Sequence, residues 1–160
     1  MEQWRPVLGY ESSYEVSSLG RVRSLPRVIV RRNGRPIPVK GGIRKLVRSA
    51  NSLRVTLGKS DVRLVHHLVL EAFVGPRPEG AIGLHWNDDP TDNRVENLRW
   101  GTYSDNNHDR VRNGIHHNAR KTHCKRGHEF TPENIYQNKR GVRACKLCAR
   151  LRAATRRSTP

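Results

Sequence analysis

All three cysteines of this 160-residue chain fall in its last 40 positions, and one histidine completes their pattern. Three residues separate Cys124 from His128; sixteen residues later come Cys145 and Cys148, with two residues between them. Two close pairs joined by a hairpin-sized spacer are the spacing of a tetrahedral Zn²⁺ site with four protein ligands. An odd cysteine count does not make a disulfide scaffold. The segment has little else to fold around, because Phe130, Ile135, Tyr136, Val142 and Leu147 are nearly its whole apolar supply. Zinc is therefore expected in a structural role, with binding energy serving as folding energy. Residues 149–157 then read as a basic helix. Its arginines, Arg150 and Arg156 among them, spread around the helix, so it lacks the apolar face of a membrane-surface helix.

The rest of the chain is constrained by charge. Lys and Arg number 31 against 14 Asp and Glu, a net charge of +17. Residues 1–58 carry 12 basic and 3 acidic side chains, residues 59–117 carry 7 and 9, and residues 118–160 carry 12 and 2. Two basic arms thus flank a mildly acidic centre able to tolerate a divalent cation. Such an excess points to nucleic acid, because each Lys or Arg placed on a phosphate releases a condensed counterion. No run of 18 apolar residues exists to span a membrane, and the N-terminus lacks the apolar stretch of a secretory signal. A cytosolic protein is the expectation. Hydrophobic residues make up only 34%, which suggests small modules with separate cores. The expected division is a basic N-terminal module (1–58), a central core (59–117) and a metal-binding C-terminal module (118–160).

Local patterns give an α+β chain. Residues 14–17 alternate, Leu19-Gly20 turns the chain, and Asn33-Gly34 suits a hairpin turn between residues 28–30 and 37–39. Residues 53–57 and 62–65 read as strands around a turn at 58–61, and residues 66–73 as a helix ended by Gly75-Pro76. Residues 82–100 read as a loop with a short strand at each end. Thr102 to Asp105 opens a helix that Gly114 closes, and residues 116–120 read as a linker.

The loop between those two strands is too rich in His, Asn and Asp for a buried strand pair. Phosphodiester hydrolysis gives such residues a reason to converge, since it needs a base for water and a cation for the phosphate. In a two-stranded ribbon followed by a helix, His85 on the first strand is the candidate base. Asn97 on the second strand would brace the loop, and Asn106 on the helix would hold the ion. His85 alone could be a structural histidine, but within this string the catalytic reading is favoured, and Asp88 and Asp89 before Pro90 are turn formers first.

At these residues the sequence resembles the HNH homing endonucleases of phages and mobile introns. The resemblance rests on Val65-His66-His67-Leu68-Val69, Glu71-Ala72-Phe73, His85, Asp92-Asn93-Arg94, Glu96-Asn97-Leu98-Arg99-Trp100, Thr102 and Asn106. Gly9-Tyr10-Glu11, Tyr14-Glu15-Val16-Ser17 and Leu19-Gly20-Arg21-Val22 look like the small DNA-binding module that often precedes such a nuclease. The resemblance implies an α+β fold: a small antiparallel N-terminal sheet, a ββα-metal core, and here a zinc-stapled hairpin plus helix. It implies a metal-dependent DNA endonuclease with one catalytic Mg²⁺ or Mn²⁺, His85 as general base, Asn97 orienting it and Asn106 as metal ligand. Double-stranded DNA would be nicked or cut, in homing or phage DNA processing, inside a bacterial host cell. No membrane and no small-molecule substrate would be involved. Phosphate contacts are expected from Arg21, Arg23, Arg27, His66, Arg99, Arg150 and Arg156, although packing at a helix start would explain His66 equally well.

The sequence departs from the family at Leu84. Members often carry a second metal ligand immediately before the base, and a leucine cannot serve. Either another group such as Asp88 supplies oxygen, or water and phosphate complete the sphere, or the chain is an inactive DNA-binding protein on the same scaffold.

Overall fold

The computed structural model describes residues 1–157, so residues 158–160 of the expected C-terminal module lie outside the described residues. The chain divides into two compact units, Met1–Asn113 and a second beginning at Gly114.

In the first unit, strands β1 (Trp4–Pro6), β2 (Tyr14–Ser17) and β3 (Val22–Ser24) form an antiparallel sheet. β4 (Arg27–Val30) and β5 (Pro36–Val39) pair only with each other, while β6 (Gly42–Ile43) returns to β3. The alternation in β2 sends Tyr14 and Val16 inward and leaves Glu15 half-buried. The β2–β3 turn passes through Gly20 at φ +78°, a left-handed conformation that glycine adopts without a Cβ penalty. A second antiparallel sheet contains β7 (Val47–Ser49), β8 (Ser52–Leu57) and β9 (Asp61–Leu64).

Helix α1 (Val65–Phe73) follows β9 directly. Its N-cap, Leu64, makes no side-chain cap bond, so a helix this short depends on tertiary packing. That packing comes from Val65, Leu68, Val69 and Leu70, each no more than 1% exposed. Full burial stabilises by roughly 2 kcal/mol per side chain of this kind.

These residues share a core with Val7, Tyr14, Val16 and Val22 of the N-terminal segment, Val55 and Leu57 of β8, and Leu98. The expected division at residue 58 is therefore not a division in packing. β8 and β9 pair across it, Leu57 opposite Asp61, and the Tyr14 hydroxyl accepts from the Gly58 amide at 3.0 Å. The N-terminal segment has too few apolar side chains to enclose a core, and the inward face of α1 completes it. Within the first unit the two expected modules share one core, while the second unit, with its Cys/His cluster, stands apart from that core as its own compact unit.

β10 (Ile82–His85) and β11 (Leu98–Gly101) make an antiparallel pair, and α2 (Tyr103–Arg112) follows. α2 is held differently from α1. Thr102 and Asp105 form a reciprocal capping box, Arg110 and Arg112 lie in the last turn, and Asp109 is its one buried residue.

In the second unit, β12 (Ile135–Gln137) and β13 (Arg143–Cys145) form a hairpin that leads into α3 (Lys146–Arg157). Among the described residues no helix is long and apolar enough to cross a membrane.

Candidate active site and metal centre

The β10–β11 pair places Leu84 opposite Arg99 and His85 opposite Leu98. Strand alternation then separates neighbours: Leu84 is 2% exposed, whereas His85 is half-buried on the other face. Leu84 has no donor atom and lies inside the fold, so position 84 supplies no ligand.

The Nε2 of His85 lies 3.1 Å from Oδ1 of Asn93, a residue only 3% exposed. The other end of that amide points Nδ2 at the Thr91 carbonyl, 3.4 Å away, which can only accept. Oδ1 therefore faces the ring, and Nε2 must carry the hydrogen it donates. Nδ1 is left with the lone pair. Asn93 is fixed from behind by the β2–β3 turn, where a Cβ on Gly20 would sit 2.7 Å from the Asn93 Cβ. The backbone bond from Val95 N–H to the Ser18 carbonyl closes the same contact.

His66 backs the candidate base. Its ring lies edge-on to His85 at 5.1 Å and to His67 at 4.5 Å, and its buried Nδ1 has no hydrogen-bond partner among the described residues. Burial, helped by the neighbouring His67 and His85, pushes its pKa down to about 3. At 7% exposure His66 is a packed, neutral ring, which favours the packing alternative over phosphate contact.

Asn97 occupies a 3₁₀ turn (Val95–Asn97) one residue ahead of β11 rather than the strand itself. Its Nδ2 donates to Asn87 Oδ1 and to the Asp92 carbonyl, and its Oδ1 accepts from the Asn87 amide. Asn97 thus braces the loop, and the side chain that meets the ring is Asn93. The loop acids are also committed. Asp92 is held near pKa 2, chiefly by the Arg94 guanidinium. Asp88, at φ +57°, accepts from the Asn113 amide at 2.6 Å.

Asn106 is the fourth residue of α2, half-buried, and its side-chain amide has no hydrogen-bond partner among the described residues. α2 is tied to the loop after His85 by the Trp86 carbonyl, which accepts from Arg112 at 2.9 Å and Asn113 at 2.8 Å. Below it, buried Asp109 pairs with Arg99 at 2.6 Å and Arg112 at 2.8 Å. Both guanidiniums lie over the Trp86 ring, at 4.1 and 4.9 Å.

The four C-terminal candidates do converge. Ligand atoms of Cys124, His128, Cys145 and Cys148 all lie within 4.8 Å of one another. Cys124 Sγ is 3.6 Å from Cys148 Sγ, and His128 Nδ1 is 3.3 Å from Cys148 Sγ and 3.6 Å from Cys145 Sγ. A tetrahedron with metal–sulfur bonds of about 2.3 Å and a metal–nitrogen bond of about 2.0 Å has edges of roughly 3.5–3.8 Å. The donor set fits a single ion. Backbone amides of Arg126 and Cys148 point at Cys124 and Cys145 sulfurs, both at 3.4 Å, as they would at thiolates. Burial and the two neighbouring thiols push Cys148 up to about 11, a like-charge cost that a bound cation removes.

An HNH endonuclease model matches residues 63–108, and a NUMOD4 motif model matches residues 2–58. A solved structure of DNA binding and cleavage by the HNH homing endonuclease I-HmuI resembles the chain at TM-score 0.50 and 25% identity. That match covers 71% of this chain and 60% of the other. The chain thus carries an HNH endonuclease segment beside a NUMOD4 segment and resembles an HNH homing endonuclease. No curated protein matches it significantly.

The HNH match ends at residue 108 and so stops short of the Cys/His centre. Within the HNH core, Arg99 is an internal strut rather than a free cation. In the NUMOD4 segment, Arg21 pairs with Glu2, Arg23 pairs with Glu15 at 2.6 Å and stacks on Trp4, and Arg27 donates to the Ser13 and Leu25 carbonyls. Arg150 and Arg156 are exposed on α3. Asn93 and Asp109 are the functional candidates that the sequence alone did not single out. Asn93 stood inside the polar loop, but nothing local distinguished it from Asn87 or Asn97.

Proposed function

We propose that this chain is a metal-dependent DNA endonuclease that hydrolyses phosphodiester bonds in double-stranded DNA. One observation carries the reading: the half-buried His85 contacts Asn93 through Nε2, which leaves Nδ1 as the base on a ββα scaffold. In this reaction Nδ1 takes a proton from water, the water oxygen bonds to phosphorus, and the bond to the departing sugar oxygen breaks. A divalent ion, Mg²⁺ or Mn²⁺, supplies charge stabilisation at the phosphate and the leaving oxygen. Asn106 Oδ1 is the uncommitted donor for it. Asp88 is the weaker candidate, because one of its oxygens already accepts from Asn113. With Leu84 in place of a ligand, a bound ion would rely on Asn106 and on water and phosphate oxygens, as suits Mg²⁺.

The C-terminal centre takes a structural Zn²⁺: four protein ligands leave no open position for substrate. The NUMOD4 segment and the exposed arginines of α3, Arg150 and Arg156, grip phosphates, and the enzyme serves homing or phage DNA processing within a host cell. Leu84 favours a second reading, a DNA-binding protein without activity. Incubating the full chain and its His85→Ala variant with duplex DNA and each divalent ion separates the two. The endonuclease reading expects scission by the parent and a loss of about 10²–10⁴-fold in the variant, with binding retained. Binding without scission under any ion leaves the inactive reading.

A further inference from the structure

Helix α2 carries Asn106, yet it buries no apolar side chain of its own. Asp105, Asn106 and Asp109 are its residues that are not exposed, and all three are polar. Its large apolar side chains, Tyr103 and Val111, are 72% and 49% exposed. Apolar packing is non-directional and lets a helix slide or roll. Hydrogen bonds, whose geometry is narrow, hold α2 instead. Asp105 serves the capping box at Thr102, so contact with the hairpin falls to the other end of the helix.

Asp109 is the centre of that contact. Its Oδ2 accepts from Arg99 of β11 at 2.6 Å, and its Oδ1 accepts from Arg112 at 2.8 Å. The second amino group of Arg112 donates to the Trp86 carbonyl at 2.9 Å, one residue after His85, and Asn113 donates to the same carbonyl. One carboxylate thus ties α2 to β11 and, through Arg112, to the backbone beside the base. The Arg99 side chain has no substitute partner among the described residues, since its buried Nε donates to nothing.

A buried ion pair is a weak source of stability, because desolvating both charges offsets most of their attraction. The placement of Asn106 gives this one another use. Asn106 lies three residues before Asp109 on the same face of α2, about 4.5 Å along the axis. Metal–ligand distances hold to about 0.2 Å, so a helix free to roll would misplace the amide oxygen. We infer that Asp109 is a positioning residue, which acts through Asn106 by fixing α2 against the strand that carries His85. The inference rests on the reading of His85 and Asn106 as base and ion ligand of an endonuclease.

The test uses the full chain and Mn²⁺. Asp109→Asn keeps the shape and removes the charge; Arg99→Lys keeps the charge and removes the planar fork. In single-turnover cleavage Asp109→Asn should raise the Mn²⁺ concentration for half-maximal rate by about 10- to 100-fold, with Arg99→Lys shifting it in the same direction. Saturating Mn²⁺ should bring the rate back to within a few-fold of the parent. A merely structural lesion instead lowers the rate at every Mn²⁺ concentration and leaves the half-maximal point in place. A second readout needs no turnover. In the His85→Ala background, with duplex DNA bound and intact, Mn²⁺ should broaden the Asn106 side-chain amide resonance at concentrations that leave it sharp once Asp109→Asn is added. Circular dichroism checks folding, and Arg99→Lys takes the place of Asp109→Asn if the latter does not fold. An unshifted Mn²⁺ requirement in the folded variant, or equal broadening with and without the Asp109 charge, overturns the inference and leaves the nuclease reading intact. A parent that cuts no duplex under any divalent ion overturns both.

Discussion

Asn93→Ala tests the arrangement of the base most directly. The substitution removes one buried neutral hydrogen bond, 3.1 Å long, and leaves the ring, loop and ion ligands in place. Such a bond contributes about 1 kcal/mol, and freeing the ring could cost about 2 kcal/mol. Cleavage should therefore slow by roughly 5- to 30-fold, short of the about 10²–10⁴-fold expected when the base is removed. The double variant is the sharper comparison. If Asn93 acts through His85, then Asn93→Ala should have almost no effect in a His85→Ala background, because there is no ring left to orient. Single-turnover cleavage with protein in excess, under Mg²⁺ or Mn²⁺, measures all four rates. Thermal melts of each variant separate loss of chemistry from loss of fold. A full Asn93 effect persisting without His85 would falsify the assigned contact. Asn93→Asp adds a second readout, because a carboxylate accepting from Nε2–H stabilises the charged ring. The acid limb of the rate profile should then shift to higher pH, and a merely structural role predicts no such shift.

Asp109→Ala should destabilise the first unit by about 3 kcal/mol in urea unfolding, because it strands Arg99 beside a buried gap; a change under 1 kcal/mol would show the pair to be dispensable. His66 links stability to pH. Its folded pKa is about 3, against about 6.5 for an unfolded chain, so between these values the unfolded state binds the extra proton. Stability should be full above pH 6.5 and fall by roughly 1 kcal/mol per pH unit on acidification, and His66→Phe should flatten that dependence. Metal analysis should find one zinc per chain. Cys145→Ser should release it and unfold the second unit, seen as lost amide protection confined to residues after 113. Retained protection without metal would rule the centre out.

Much of this was legible where chemistry is local. The Cys and His spacing located a cluster that closes to within a few ångströms, and the run from Thr102 to Asp105 marked the start of α2, where the structure forms a capping box. Asn33-Gly34 marked the β4–β5 turn, where Gly34 sits at φ +78°. Long-range contacts were not legible. The apolar fraction averages over the chain and hides that Val7, Val16, Val55 and Leu68 meet in one place. Asn87, Asn93 and Asn97 look alike in sequence, and only the return of the loop onto the Ser18–Gly20 turn decides which faces the ring. Arg99 gave no sign of being committed to Asp109, ten residues on, because strand pairing and helix phase together set that meeting.

The shared core has a consequence for how such chains can be recombined. Two family models meet between residues 58 and 63, which invites exchange of the two segments as cassettes. A cut there would divide the β8–β9 hairpin and expose Val55 and Leu57 on one fragment and the inner face of α1 on the other. Each fragment would be left with an uncovered apolar face, so an exchange that keeps the core whole carries α1 along with the N-terminal segment. The boundary between the two compact units, after Asn113, is the seam that leaves the shared core of the first unit whole.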